Sequence, residues 1–447
     1  MTPLEHRRQP GADLLVRGAH VLDPRGGIDA PHDVLVRGGV IAELGPPGSL
    51  EAPAGAEVLE GEGRHLFPGF VDPHVHLRVP GQEHKEDLDS GTRAAAAGGY
   101  VAVVAMPNTD PVVDSAPVLR SLREAARREA RVPVGFMASI TRGLEGEALT
   151  EMAELADAGA LGFTDDGRPV HRAGILRKAL QYQRLAGRLL CLHEEDPSLS
   201  GRGVMHEGEV SARLGLAGIP SISESTLIAR DASLAGYEDG RIHIQHLSAR
   251  ESVEAVAEAK ARGVRITAEA SPHHLTLTDR ALLERLDTRL KMNPPLRSEP
   301  DRQALIAGLR DGTIDCVATD HAPHAREEKE VPFEEAPMGT TGLETAFAAL
   351  YTELVLPGVL PLALVVDRLS AGAALVGLPL PAIAVGEGAS FCLVDLEAEY
   401  EVGDAGYESR SENCCFAGRR LRGRVLATVA AGAVAYRQRT FSVVGAA

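Results

Sequence analysis

From about Leu66 to Val385 the chain alternates eight short apolar runs with helical stretches, and nearly every run ends in a side chain able to bind a cation or move a proton. The runs are "LFPGFVDPHVH", "YVAVVAMPNT", "VPVGFMASIT", "ALGFTDD", "RLLCLHEED", "RIHIQHLS", "RITAEASPHH" and "DCVATDHAPH". Segments such as "SAPVLRSLREAARREA" and "SVEAVAEAKARG" lie between them with helical periodicity. Eight strands alternating with helices over roughly 300 residues specify an α/β fold, a parallel (β/α)8 TIM-type barrel. The loops that follow barrel strands converge on one face, where active sites form. Polar residues scattered without a function would have no reason to share that face.

The flanks have another rhythm. "DLLVRGAHVLDPRGG" near the start and "RLRGRVLATVAAGAVAY" near the end are short apolar segments broken by Gly, Pro and Asp, which read as strands and hairpins. We therefore expect a barrel over 68-385 and one small β-rich domain assembled from residues 1-67 and 386-447.

A net charge of -17 argues against a general surface for nucleic acid or anionic membrane, since both require basic patches. It does not exclude a local cationic pocket for an anionic small molecule. The most apolar stretch, "LVLPGVLPLALVV", is too short to span a bilayer and carries two prolines. Five cysteines without C-x-x-C spacing suggest reduced thiols, and the start lacks a continuous apolar run, so a cytoplasmic protein is expected.

The run ends define the chemistry. His74 and His76 are two apart, so a strand would present both imidazoles on one face, and Arg78 would continue that face. The guanidinium fork of Arg78 suits a carboxylate, and Asn108 after the second run could help to hold it. His193, His246, Asp320 and one aspartate of "FTDDG" complete a set of imidazoles and carboxylates suited to zinc or a similar divalent metal. Six such ligands could serve one or two ions. Alternation allows only one of Asp165 and Asp166 to face the site and does not say which.

Further motifs carry a resemblance. "VDPHVHLRVPG", "MPNTDP", "FTDDG", "HEED", "HIQHLSA", "SPHHL", "KMNPPLRS" and "DCVATDHAPHAREEKE", in order from about Pro68 to Phe347, resemble the long-chain dihydroorotases of the amidohydrolase superfamily. That resemblance implies reversible, metal-dependent cyclisation of N-carbamoyl-L-aspartate to L-dihydroorotate in pyrimidine biosynthesis. It implies His74 and His76 on a first zinc ion, and His193 and His246 on a second. Asp166 would bridge the two, where many relatives use a carboxylated lysine. Asp320 would be both ligand and general acid/base. Substrate would be bound by His76, Arg78, Asn108, Asn293, His324 and the backbone near Met338 and Gly339. A homodimer and an association with aspartate transcarbamoylase are further expectations.

The other histidines are given lesser roles. His273 and His274 are expected to pack or hydrogen-bond behind the site, and His243 cannot share a strand face with His246. His84, His171 and His206 read as loop residues. Except around Met338 and Gly339, the charged segment from His324 to Gly342 reads equally as a lid and as a solvated loop. Two rival readings stand beside the main one. Another cyclic amidase, acting on hydantoins, dihydropyrimidines or allantoin, would want a lysine where "GFTDDG" has none. A non-catalytic scaffold would have lost ligand positions, which here are all filled.

Overall fold

The computed structural model describes residues 4–441. Its centre is a ring of eight parallel strands: Phe70–Val75, Tyr100–Ala105, Val134–Phe136, Gly162–Thr164, Leu189–Leu192, Arg241–Ile244, Arg265–Ala270 and Cys316–Val317. The first three pair in sequence, as do the last five. Single parallel bridges, Ala138 to Phe163 and Val75 to His321, close the two gaps. These strands are buried along nearly their whole length, so they read as continuous apolar runs rather than as alternating ones. Helices between them cover the outside. Ala173–Ala186, Ile222–Glu238 and Arg250–Ala261 turn charged faces outward and bury Leu180, Ile228 and Val256 against the ring.

The flanks meet in one sheet. Its strands run in the order Ala433–Arg437, Arg420–Ala430, Phe391–Glu401, His65–Pro68, Leu14–Asp23, Ile28–Arg37 and Val40–Gly45. The seam between the N- and C-terminal contributions is antiparallel, with His65 opposite Val394 and Pro68 opposite Phe391. Glu57–Glu60 adds a parallel strand along Leu14–Asp23. Phe67 leads from this sheet into the barrel and packs with Phe70 and Phe347, ring centroids 6.5 and 5.5 Å away. The sheet has its own apolar core around Leu14, Val34, Ile41 and Phe391.

Two segments cross the expected division. Glu5 bridges antiparallel to Val134, on the third barrel strand. The connection between Phe391–Glu401 and Arg420–Ala430 leaves the small sheet and reaches the barrel mouth, where Ser411 donates to the Lys85 carbonyl at 2.6 Å. Among the described residues, no helix is long and apolar enough to cross a membrane.

Candidate metal centre

Only His74 of the expected site residues lies within a strand. His76, Asn108, Asp166, His193, His246 and Asp320 follow the ends of the first, second, fourth, fifth, sixth and eighth strands by one to three residues. Strand alternation therefore does not aim Arg78, because the first strand stops at Val75. Instead Arg78, His246 and Asp320 adopt left-handed backbone angles, with φ of 59°, 33° and 47°. Such angles are unfavourable for side-chain-bearing residues and persist where surrounding contacts enforce them. Here they turn three side chains inward at the rim of the barrel.

The nitrogens and oxygens converge tightly. His76 Nε2 lies 3.1 Å from Asp320 Oδ1 and 3.4 Å from Asp166 Oδ2. His74 Nε2 lies 3.5 Å from Asp166 Oδ1 and 3.6 Å from Asp320 Oδ1. On the other side, Asp166 Oδ1 is 3.6 Å from His246 Nε2 and 3.8 Å from His193 Nδ1, and those two nitrogens are 2.9 Å apart. Donors bound to one tetrahedral ion at ~2.1 Å stand roughly 3.4 Å from each other. Most of these separations match that span and are long for hydrogen bonds. Asp166 faces its neighbours with both oxygens, as a carboxylate shared between two ions would.

Three of the four imidazoles are held from behind by their other nitrogen. His74 Nδ1 is 2.7 Å from Glu269 Oε1, His76 Nδ1 is 2.9 Å from Asn108 Oδ1, and His193 Nε2 is 3.3 Å from Glu195 Oε2. Such partners fix ring orientation and tautomer and raise the basicity of the ligating nitrogen. Glu269 is itself braced by His243 Nε2 at 3.0 Å, and Glu195 by Asn293 Nδ2 at 2.6 Å. Asp72 ties the first strand to the eighth, accepting from the His74 amide at 3.1 Å and from Thr319 Oγ1 at 2.6 Å.

The residues fit a divalent cation. His74 Nε2 is buried and has no hydrogen-bond partner, an arrangement that costs free energy unless something electrophilic sits there. The charges say the same. Burial drives Asp166 towards its neutral form, yet the neighbouring His74, His246 and His76 hold its carboxyl well below the usual range. Burial likewise opposes a charge on His74, but Asp166 and Glu269 raise it well above the ordinary histidine value. An acidic field strong enough to keep a proton on a buried imidazole is one a divalent cation would neutralise instead.

Beside these groups lies a cavity of about 320 Å³, lined by His76, Arg78, Asn108, Asp166, Gly167, His193, His246, Asn293, Asp320, Ala322, His324, Met338 and Gly339. Every expected site residue except His74 thus faces one space. Among the described residues, Arg78 is the only lysine or arginine lining it. Its Nε donates to the Pro323 carbonyl at 3.0 Å, and one terminal nitrogen lies 3.5 Å from His324 Nε2. That imidazole nitrogen donates to the Met338 carbonyl at 2.9 Å and so has no lone pair for Arg78. Burial, then Arg78 and Lys329, push His324 down to about 3, which keeps it neutral. Among the described residues no carboxylate forms an ion pair with Arg78, although its side chain is buried. A buried guanidinium without a carboxylate, facing a cavity, is built to receive an anion.

Asn108 lines the cavity, but its amide is engaged: Oδ1 by His76, and Nδ2 by Asp166 Oδ2 at 3.1 Å. Asp165 points away, accepting from the Ile140 and Thr141 amides at 2.8 and 3.0 Å. His274 is held by Ser271 and the Pro294 carbonyl, at 2.7 and 2.9 Å. His206 is not a free loop residue; it bridges to Ile219 in a short parallel ladder beside Arg297. The segment after His324 is pinned rather than loose. Lys329 is buried and donates to the carbonyls of Pro337 and Thr288, at 2.7 and 3.0 Å.

Sequence reasoning missed Glu269, Glu195 and Asp72. The signals were present: an acid inside the apolar run "RITAEA", and an acid two residues after His193, where alternation puts it on the same side.

The chain is similar to known proteins along nearly its whole length. A family model described as dihydro-orotase-like matches residues 63–252. The dihydroorotase of Pelotomaculum thermopropionicum is 46% identical over 427 residues, covering 95% of this chain and 99% of that protein. The dihydroorotase of Anaeromyxobacter dehalogenans is 46% identical over 430 residues, covering 95% and 98%. Among solved structures, the L-hydantoinase (dihydropyrimidinase) of Arthrobacter aurescens superposes with a TM-score of 0.83 at 24% identity, over 95% of this chain and 96% of that one. The D-hydantoinase (dihydropyrimidinase) of a Thermus species gives 0.79 at 26% identity, over 96% of each chain. The first of these structures carries an argument about fold alone.

Proposed function

The chain belongs to the dihydroorotase family, and on that footing we propose that it interconverts L-dihydroorotate and N-carbamoyl-L-aspartate at the rim described above. It is a hydrolase of cyclic amides by kinship. The observation that carries the choice of substrate is Arg78, a buried guanidinium open to the cavity and without a carboxylate partner. Dihydroorotate differs from dihydrouracil by one carboxylate, and Arg78 supplies its complement. His324, Asn108, Asn293 and the backbone at Met338 and Gly339 enclose the remainder of the ring.

The metal is read as zinc, with two ions favoured over one because both oxygens of Asp166 are directed at histidines on opposite sides. His74 and His76 would hold one ion and His193 and His246 the other, with Asp166 between them and Asp320 beside the first. When bound, such ions polarise the amide carbonyl and make an attacking water more acidic.

The chain's own groups handle the rest. Asp320 takes a proton from the attacking water as its oxygen adds to the ring carbonyl carbon. The same carboxyl then gives that proton to the departing ring nitrogen as the C–N bond breaks. In reverse, the proton returns along the same path and the ring closes. Burial raises Asp320, but the His76 hydrogen bond and the positive field of His74 hold its carboxyl well below the usual range. Arg78 fixes the ring by its carboxylate, so that the scissile amide faces Asp320 rather than the cavity mouth.

We read the barrel as residues 68-385 and the small domain as 1-67 with 386-447. All five cysteines are free and buried, which supports a reducing compartment such as the cytoplasm. The test of function is a spectrophotometric assay of dihydroorotate ring opening. Turnover that disappears on chelation and returns with zinc is expected; a metal-loaded protein inert towards dihydroorotate but active on hydantoin would replace this reading with the other cyclic amidase.

A further inference from the structure

We propose that Asn413, far outside the barrel sequence, is a positioning residue for the substrate-binding wall of the cavity. The inference rests on the reading of Arg78 and His324 as substrate contacts. Asn413 is 4% exposed, and both ends of its side-chain amide bond to one loop. Its Oδ1 accepts from the His324 amide at 3.0 Å, and its Nδ2 donates to the carbonyls of Ala322 and Gly339, each at 3.1 Å. Its own carbonyl accepts from Thr340 Oγ1 at 3.0 Å and from the Thr341 amide at 3.2 Å. Cys414 then bridges in parallel to Thr341, and the Cys415 amide donates to Thr340 Oγ1 at 2.8 Å.

Those contacts join the two ends of the segment 322–341, which contributes Ala322, His324, Met338 and Gly339 to the cavity. The ends are packed hard together. Gly339 has φ of 142°, and a Cβ there would stand 2.9 Å from both His324 Nε2 and the Ala322 Cβ. Among the described residues no other side chain bonds to both Ala322 and Gly339, and the Ala322 amide adds a backbone tie to the Thr340 carbonyl at 2.8 Å. The consequence reaches Arg78, because its Nε is held by the carbonyl of Pro323, between the two residues that Asn413 grips. A chain of contacts therefore runs from Asn413 through the 322–324 backbone to the guanidinium. The four histidine ligands and Asp166 are all outside this segment, and Asp320 stands two residues before it.

An amide is the one side chain that can do this. An aspartate would keep the bond to the His324 amide but lose both donations and set a charged oxygen against two carbonyls. An alanine would leave the His324 amide and two carbonyls buried and unpaired.

The test combines Asn413→Ala and Asn413→Asp with metal analysis, melting temperature, steady-state kinetics and hydrogen exchange. We expect KM for dihydroorotate to rise about tenfold or more, with kcat within about threefold and metal content unchanged, the pattern of lost substrate binding. Exchange at the His324 and Thr341 amides should accelerate, while that at the Leu190 and Ile242 amides in the barrel does not. Thr340→Val, which removes two bonds to the clasp, gives a milder version if Asn413→Ala does not fold. An unchanged KM, with the damage confined to melting temperature or metal content, would overturn the proposal. If the wild-type protein does not open dihydroorotate at all, the reading of function fails instead. Exchange then still decides the clasp: faster at His324 and Thr341 in the variants supports it, unchanged rates overturn it.

Discussion

The two walls of the cavity are built differently. On the metal-facing wall, His74, His76, Asp166, His193 and His246 stand in or within two residues of a strand, and each supporting partner named above also comes from the barrel. On the substrate-facing wall, Arg78 and His324 lean on a loop whose ends are joined by Asn413, 89 residues beyond His324. The first wall inherits its rigidity from the hydrogen-bonded ring of strands. The second borrows it from the connection between two strands of the other sheet. On the proposed reading, the barrel holds the metal groups while the part proposed to bind substrate is set by a different region of the chain.

If the walls are separable, substitutions should split into two kinds. The largest effect belongs to Asp320, which touches both. Asp320→Asn should cut turnover about 10³-fold or more in each direction, the scale of a lost general acid and base, measured by ring opening and ring closure on one preparation. Next comes the brace behind the metal wall. Glu269 is held down to about 2, against strong burial, by the positive field of His74 and the bond from His243. Glu269→Gln should weaken metal binding about 10- to 100-fold in chelator competition, leaving KM unchanged once metal is in excess. Equal losses in affinity and KM would mean that the walls are coupled.

The opposite split is expected for Arg78→Ala. Its KM for dihydroorotate should rise by about 10-fold or more at unchanged metal content, since a buried charge-assisted pair is lost without touching a ligand. The smallest effect serves as a control outside both walls. Burial pushes the Glu344 carboxyl up to about 7, although it accepts the amides of Glu408 and Ser409. A folded value above the ordinary 4.5 means that the fold favours the protonated form, so its contribution is full below 4.5 and is lost as pH rises towards 7. The melting temperature of wild type relative to Glu344→Gln should therefore fall between pH 5 and pH 8. Parallel curves would show that this carboxyl is not linked to folding.

The difference between the walls also explains what could be read from sequence. The eight runs and their polar ends were visible because a parallel barrel strand must be apolar, and its rim is the one place where His and Asp can gather. The composite sheet was visible because its hairpin rhythm returns at both ends. Arg78 was placed by an alternation that the strand does not sustain; a left-handed backbone angle delivers it to the cavity instead. Glu269 and Glu195 left local traces. Asn413 left none, since "RSENCCFAG" has the look of an ordinary polar turn, and its partners come from a loop that only the folded chain brings near. The segment after His324, which reads as either a lid or a solvated loop, lines the cavity and is tethered by Lys329 and Asn413.

The most direct test of a carboxylate-reading wall beside a metal wall is a paired assay of dihydroorotate and dihydrouracil on one zinc-loaded preparation of wild type and Arg78→Ala. The account predicts that wild type prefers dihydroorotate by about 10³-fold or more in kcat/KM, and that Arg78→Ala loses most of that preference through dihydroorotate alone. Equal use of both substrates by wild type, or a preference that survives in Arg78→Ala, would contradict it.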